Sequence, residues 1–143
     1  MNSSKAKKDL LNKLKSKRDI LFTKNGIFIK VNTKIYNESI YNDESIYYNQ
    51  VEILQHDKIL ASSDISSNHT EFLLYDLLVK LYTKSPQKEL YLMVRATHII
   101  VDMSQNFNES WKTQTTEVIN QINPYLNKPS HKFLLQPLIQ QSN

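Results

Sequence analysis

The sequence predicts an α+β fold, a single domain over residues 1–143 in which an antiparallel sheet of about five strands is packed by helices. Three observations predict it. Apolar and polar residues alternate at period two after the turn-like pair Asn25-Gly26, and two short apolar runs flank a second such pair, His56-Asp57. Apolar residues recur at helical spacing in three other stretches. Between two of those stretches lies a long run rich in β-branched and aromatic residues, Glu89 to Met103.

The bulk numbers agree with a folded domain. With 143 residues, 40% hydrophobic and 22% charged, the chain can bury a core without covalent staples. It has no cysteine, which excludes a disulfide framework, thiolate zinc sites and a cysteine nucleophile, and fits a reducing compartment. No apolar run is long enough to span a membrane, and the basic N-terminus lacks the apolar segment of a signal peptide. An intracellular location, cytoplasmic or nuclear, is the expectation. The sequons at Asn2, Asn37, Asn68 and Asn108 are what chance supplies in a chain this rich in Asn, Ser and Thr.

Residues 1–19 read as a basic amphipathic helix, opening at Ser3 or Ser4 and ending near Ile20. Leu10, Leu11, Leu14 and Leu21 form its apolar stripe. Charge is concentrated here. Ten Lys/Arg against two Asp lie in residues 1–34, whereas eight basic and twelve acidic residues follow. Two readings of this helix stand: a surface helix with solvated lysines, or an arm for polyanions built from Lys5, Lys7, Lys8, Lys13, Lys15, Lys17 and Arg18. Only two of the eighteen cations are arginine, which disfavours base-specific recognition and leaves non-specific phosphate contact.

The helix leads into ILFTKNGIFIKVNTKI, which holds the only glycine. An Asn-Gly pair between apolar runs predicts a type I′ hairpin, pairing Ile20–Thr23 with Ile27–Ile35. A solitary glycine also excludes Walker-type and Rossmann-type phosphate loops, which need several at fixed spacing. Residues 36–49 then read as an acidic, tyrosine-bearing loop. It carries ESIY twice, at Glu38–Tyr41 and Glu44–Tyr47, and could present Tyr36, Tyr41, Tyr47 and Tyr48 to a partner. Val51–Leu54 and Lys58–Ala61 flank His56-Asp57 and predict a second hairpin.

Asn68-x-x-Glu71 opens a helix over Phe72–Tyr82 whose sequence, FLLYDLLVKLY, is apolar nearly all round and so predicts a buried central helix. Asp76 and Lys80 lie four apart on one face, and Ser85-Pro86 stops the helix. Glu89–Met103 is expected to be a long central strand, or two strands broken near Thr97. Asn106-x-x-Glu109 opens the last helix, with Phe107, Trp111, Thr115, Val118, Ile119 and Ile122 as its stripe, and Asn123-Pro124 ends it. The tail 124–143 carries the cluster Phe133, Leu134, Leu135, Leu138 and Ile139, which either straps back onto the domain or reaches into another subunit. In its order of elements the chain resembles the small roadblock-like and longin-like adaptor modules.

The sequence offers no catalytic motif: no His-Glu-x-x-His, no Gly-x-Ser-x-Gly and no paired carboxylates. On a strand, His98 and Asp102 would stand roughly 13 Å apart, too far for one metal or a proton relay. No catalytic residue, cofactor or metal is expected. Arg95, inside the most apolar run, either needs a carboxylate partner such as Asp76 or Glu52, or anchors an interface. The leading expectation is therefore a non-enzymatic protein-interaction module, an adaptor, scaffold or assembly-factor subunit with protein partners in a hetero-oligomer or homodimer. The alternatives are a nucleic-acid-associated accessory subunit using the N-terminal helix, and a small enzyme with a dispersed site.

Overall fold

The computed structural model describes residues 3–36, 46–63, 69–82, 88–105 and 110–129. The chain runs α1 (Ser3–Asn25), β1 (Ile27–Tyr36), β2 (Ile46–Gln55), β3 (Lys58–Ser62), α2 (Thr70–Tyr82), α3 (Lys88–Gln105) and α4 (Trp111–Leu126). Among the described residues this is a mixed α+β fold dominated by its four helices, with one open antiparallel sheet of order β1-β2-β3. The expected sheet of five strands is corrected to three, and two segments account for the difference.

The first is Ile20–Thr23, which continues α1 instead of forming a strand. Leu14 and Leu21, seven residues apart, both bury completely, so the helical repeat outlasts the predicted boundary. Asn25 then fastens the last turn: its Nδ2 donates to the Leu21 carbonyl at 3.0 Å and to Glu89 Oε2 at 2.7 Å. Gly26 follows at φ +65°, with its N–H bonded to the Thr23 carbonyl, which makes it a left-handed helix terminator and not a hairpin residue. A Cβ there would stand 2.5 Å from the His56 ring. The positive-φ hairpin turn does exist, but at His56 (φ 49°) and Asp57 (φ 69°), between β2 and β3.

The second segment is Glu89–Met103, which lies in α3. As a strand it would extend roughly 50 Å, well beyond any other strand of this sheet. Leu90, Leu92, Val94 and Ala96 are all buried, as a strand face would require, yet so are Met93 and Ile99. On a helix these six spread around much of the circumference. They are covered because α3 packs against α1, α2 and α4 together. Enclosure on several sides spreads apolar residues over much of the helix, so the run also has the composition of a strand. Without that strand, the element order that resembled roadblock-like and longin-like modules is lost.

The partner of β1 is β2, in register from Ile27↔Gln55 to Tyr36↔Ile46. The predicted loop 36–49 is thereby shortened: Tyr36 ends β1, residues 46–49 begin β2, and 37–45 lie outside the described residues. Ile27, Val51 and Ile53 point into the core from one sheet face, joined by Leu60 and Ala61 of β3. With Leu14 and Leu21 of α1, five leucines of α2 and Val118, Ile119 and Ile122 of α4, they form one cluster around α3.

The contacts also fix helix directions. Lys17 reaches Asn123 and Lys24 reaches the carbonyls of Tyr125 and Leu126, so α1 and α4 run parallel. Arg18 meets Thr97 and Asn25 meets Glu89, so α3 runs antiparallel to both. Lys24 places its ammonium on the last carbonyls of α4, where the helix dipole is negative. With that support the helix passes through Pro124 to Leu126, beyond its predicted end at Asn123-Pro124. Its predicted opening, Asn106 to Glu109, lies outside the described residues.

Candidate functional site

Helix α2 divides its apolar residues by type. Leu73, Leu74, Leu77, Leu78 and Leu81 are buried against α3 and the sheet. The rings and the valine lie on the other side: Phe72 is 56% exposed, Tyr75 60%, Val79 54% and Tyr82 75%. Far from being a central helix buried all round, α2 is buried on one side only. Its exposed residues follow the spacing three, four, three, the seam by which one helix packs on another.

The seam borders a groove of about 520 Å³ whose floor is α3. Tyr75, Val79 and Tyr82 form one wall, Tyr91, Arg95 and His98 the floor, and Gln114 of α4 touches the far side. Tyr82 meets Tyr91 edge-on at 5.9 Å and Tyr75 meets His98 at 6.3 Å, so α2 and α3 run antiparallel and their rings lock the groove's two ends. Lys88 lies 5.8 Å from the Tyr91 ring centre.

Arg95 is half-buried at the centre of the floor. Its partner is Glu117 of α4 at 3.8 Å, at the outer limit of an ion pair, in place of the expected Asp76 or Glu52. Asp76 instead pairs with Lys80 at 3.4 Å, one turn along α2, and Glu52 accepts from Asn32 across the sheet. Arg95 thus offers the groove a guanidinium whose existing contact is long and half in solvent, with little to hold it there.

His98 lies one turn from Arg95. Burial pushes its pKa below the ordinary 6.5, opposed by Asp102, reinforced by Arg95 and opposed again by Glu71. The imidazole is therefore neutral at neutral pH. On the helix His98 and Asp102 are neighbours at i, i+4, about 6 Å apart, so the larger separation expected of a strand does not apply. Among the described residues no three His, Cys, Asp or Glu side chains group to hold a metal ion.

The remaining predicted residues are scattered. On α1, Lys5, Lys8, Lys13 and Lys15 are exposed, whereas Lys7 is buried. Lys17 is half-buried and donates to Asn123 Oδ1 at 2.8 Å. Arg18 donates to Thr97, pairs with Asp19 and stacks on Phe22. Four of the seven cations face solvent and three turn toward the body. Tyr48 stands in β2 opposite Lys34, and Tyr47 opposite Ile35. Tyr41 and the tail cluster Phe133, Leu134, Leu135, Leu138 and Ile139 lie outside the described residues.

Sequence reasoning passed over Phe72, Tyr75, Val79 and Tyr82. Their signal was present: every leucine of α2 falls on one arc and every ring on the other. A smaller apolar row crosses the uncovered sheet face, where Phe28 pairs with Leu54 and Leu54 with Ile59. No helix among the described residues is long and apolar enough to cross a membrane. No family model, no curated protein and no solved structure matches the chain.

Proposed function

We propose that this chain is a non-enzymatic protein-interaction module, an adaptor, scaffold or assembly-factor subunit that docks a helix on the outer face of α2. The supporting observation is the seam of Phe72, Tyr75, Val79 and Tyr82, with each residue at least half exposed. Three aromatic rings left in water along one line cost apolar hydration that a docked helix removes, and such patches mark interaction sites. Arg95 beside the seam gives the occupant a place for a carboxylate.

The test is affinity capture from native extract, nuclease-treated, with wild-type chain and Val79→Glu as parallel baits. A defined protein, another species or the same one, should be held by wild type and lost by the variant. Equal capture by both baits, or none by either from a chain that is also monomeric in solution, removes the reading.

A second reading keeps the four exposed lysines of α1 as a non-specific phosphate contact. It expects polyanion binding that weakens steeply with salt and is lost when Lys5, Lys8, Lys13 and Lys15 become Gln. Deleting the segment is the poorer test, because Leu14 belongs to the core.

A further inference from the structure

We infer that the occupant of the α2 seam is a second copy of this chain, paired antiparallel about a two-fold axis that passes the helix at the level of Leu77. This rests on reading the outer face of α2 as a docking surface and adds the identity of the partner.

The seam is its own complement. Its three-four-three spacing reads the same in both directions around Leu77. An antiparallel two-fold therefore sets Phe72 against Tyr82 of the second copy and Tyr75 against Val79 of the second copy, each pair occurring twice. Ring meets ring at both ends, and ring meets β-branched side chain near the axis, so no large residue faces a void. No charged group lies on the seam itself.

Charge at the flanks favours the same direction. Glu71, 18% exposed and 3.7 Å from His69, stands at the N-terminal end of α2, and Lys88 lies over the Tyr91 ring at the opposite end of the groove. The antiparallel pair brings the Glu71 end of each copy beside the Lys88 end of the other. A parallel pair would set Glu71 against Glu71 and Lys88 against Lys88.

The area also suits a symmetric pair. A buried aromatic side chain covers about 150–250 Å². At their observed exposures the three rings and the valine offer roughly 400–500 Å² per copy, so two copies bury about 800–1,000 Å², which at full cover reaches the lower bound for a specific interface. The dimer is accordingly one that dissociates on dilution.

The absence of cysteine gives a direct test of the register. Phe72→Cys and Tyr82→Cys chains are prepared separately, then mixed under mild oxidation. The inference expects a disulfide-linked heterodimer on mixing and none from either chain alone, because like positions sit ~15 Å apart along the antiparallel pair. Sedimentation of the full wild-type chain should shift from monomer toward dimer with rising concentration, and Val79→Glu should remain monomeric throughout. Retention of the wild-type circular dichroism spectrum shows that this variant is folded. Cross-linking of each single-cysteine chain with itself, or a dimer that survives Val79→Glu, overturns the inference. A wild-type chain that stays monomeric while its seam captures a different protein sinks the inference and leaves the docking function standing. A monomer whose seam captures nothing sinks both.

Discussion

Helices α2 and α3 have similar apolar sequences and opposite surroundings. FLLYDLLVKLY and ELYLMVRATHIIVDM both look like material for the centre of a domain. Only α3 is there, enclosed by α1, α2 and α4, while α2 has α3 and the sheet on one side and, among the described residues, no element on the other. The difference teaches that apolar residues state a need for cover without saying who supplies it. For α3 the cover is the rest of the chain. For half of α2 the described residues supply none, and that shortfall is the basis for proposing a docking surface.

The largest expected effect comes from truncating the covered side of each helix. Leu92→Ala in α3 and Leu77→Ala in α2 remove fully buried side chains, and each should cost about 2–5 kcal/mol in urea unfolding. Comparable losses would put the inner face of α2 on a par with α3. A loss under about 0.5 kcal/mol for Leu77→Ala would mean that α2 is not docked at all.

Next in size is Gly26→Ala, at the joint that aims the sheet away from α1. The left-handed backbone and the close His56 ring should together cost about 1–3 kcal/mol. Adding His56→Ala should relieve only the contact, so a double variant restored to wild-type stability would show that the backbone is unstrained.

Where the two helices meet, His98 makes stability depend on pH. Its folded pKa is lowered, so below 6.5 the unfolded chain binds the extra proton and the fold loses stability as pH falls toward the lowered value. Melting temperature should therefore drop from about pH 7 to about pH 5 more in wild type than in His98→Gln. Parallel curves for the two proteins would place the imidazole in water rather than in the groove.

The smallest effect belongs to the outer face. Val79→Ser should change the stability of the dilute, monomeric chain by within about 0.5 kcal/mol. A core-sized loss there would mean that the seam is already covered within the monomer. Amide exchange supplies the same contrast without mutation: the slowest amides should lie in α3 and not in α2.

Some of this was legible in the residues. Ile27, Ile29 and Val31 alternating with Phe28 and Lys30 specify a strand, and period two survives because only one face of that strand meets the core. Leu14 and Leu21 specify a helix for the same reason. The His56-Asp57 turn stood out because apolar pairs flank it closely. What failed was whatever depended on surroundings. Asn25-Gly26 has the composition of a hairpin turn and of a helix terminator alike, since both need positive φ, and the bond from Asn25 to Glu89 sixty-four residues away goes with the second.

By itself, then, the sequence determined the one-sided elements, the lack of phosphate-loop glycines and the excess of lysine at one end. Tertiary structure decided the rest. It made Glu89–Met103 a helix, because in that form its apolar residues meet α1, α2 and α4 at once. It turned three of the seven N-terminal cations toward the body. And it left Phe72, Tyr75, Val79 and Tyr82 in solvent, since whether an apolar face is buried depends on how many neighbours the fold can place against it, a property of the packed chain and not of the residues on that face.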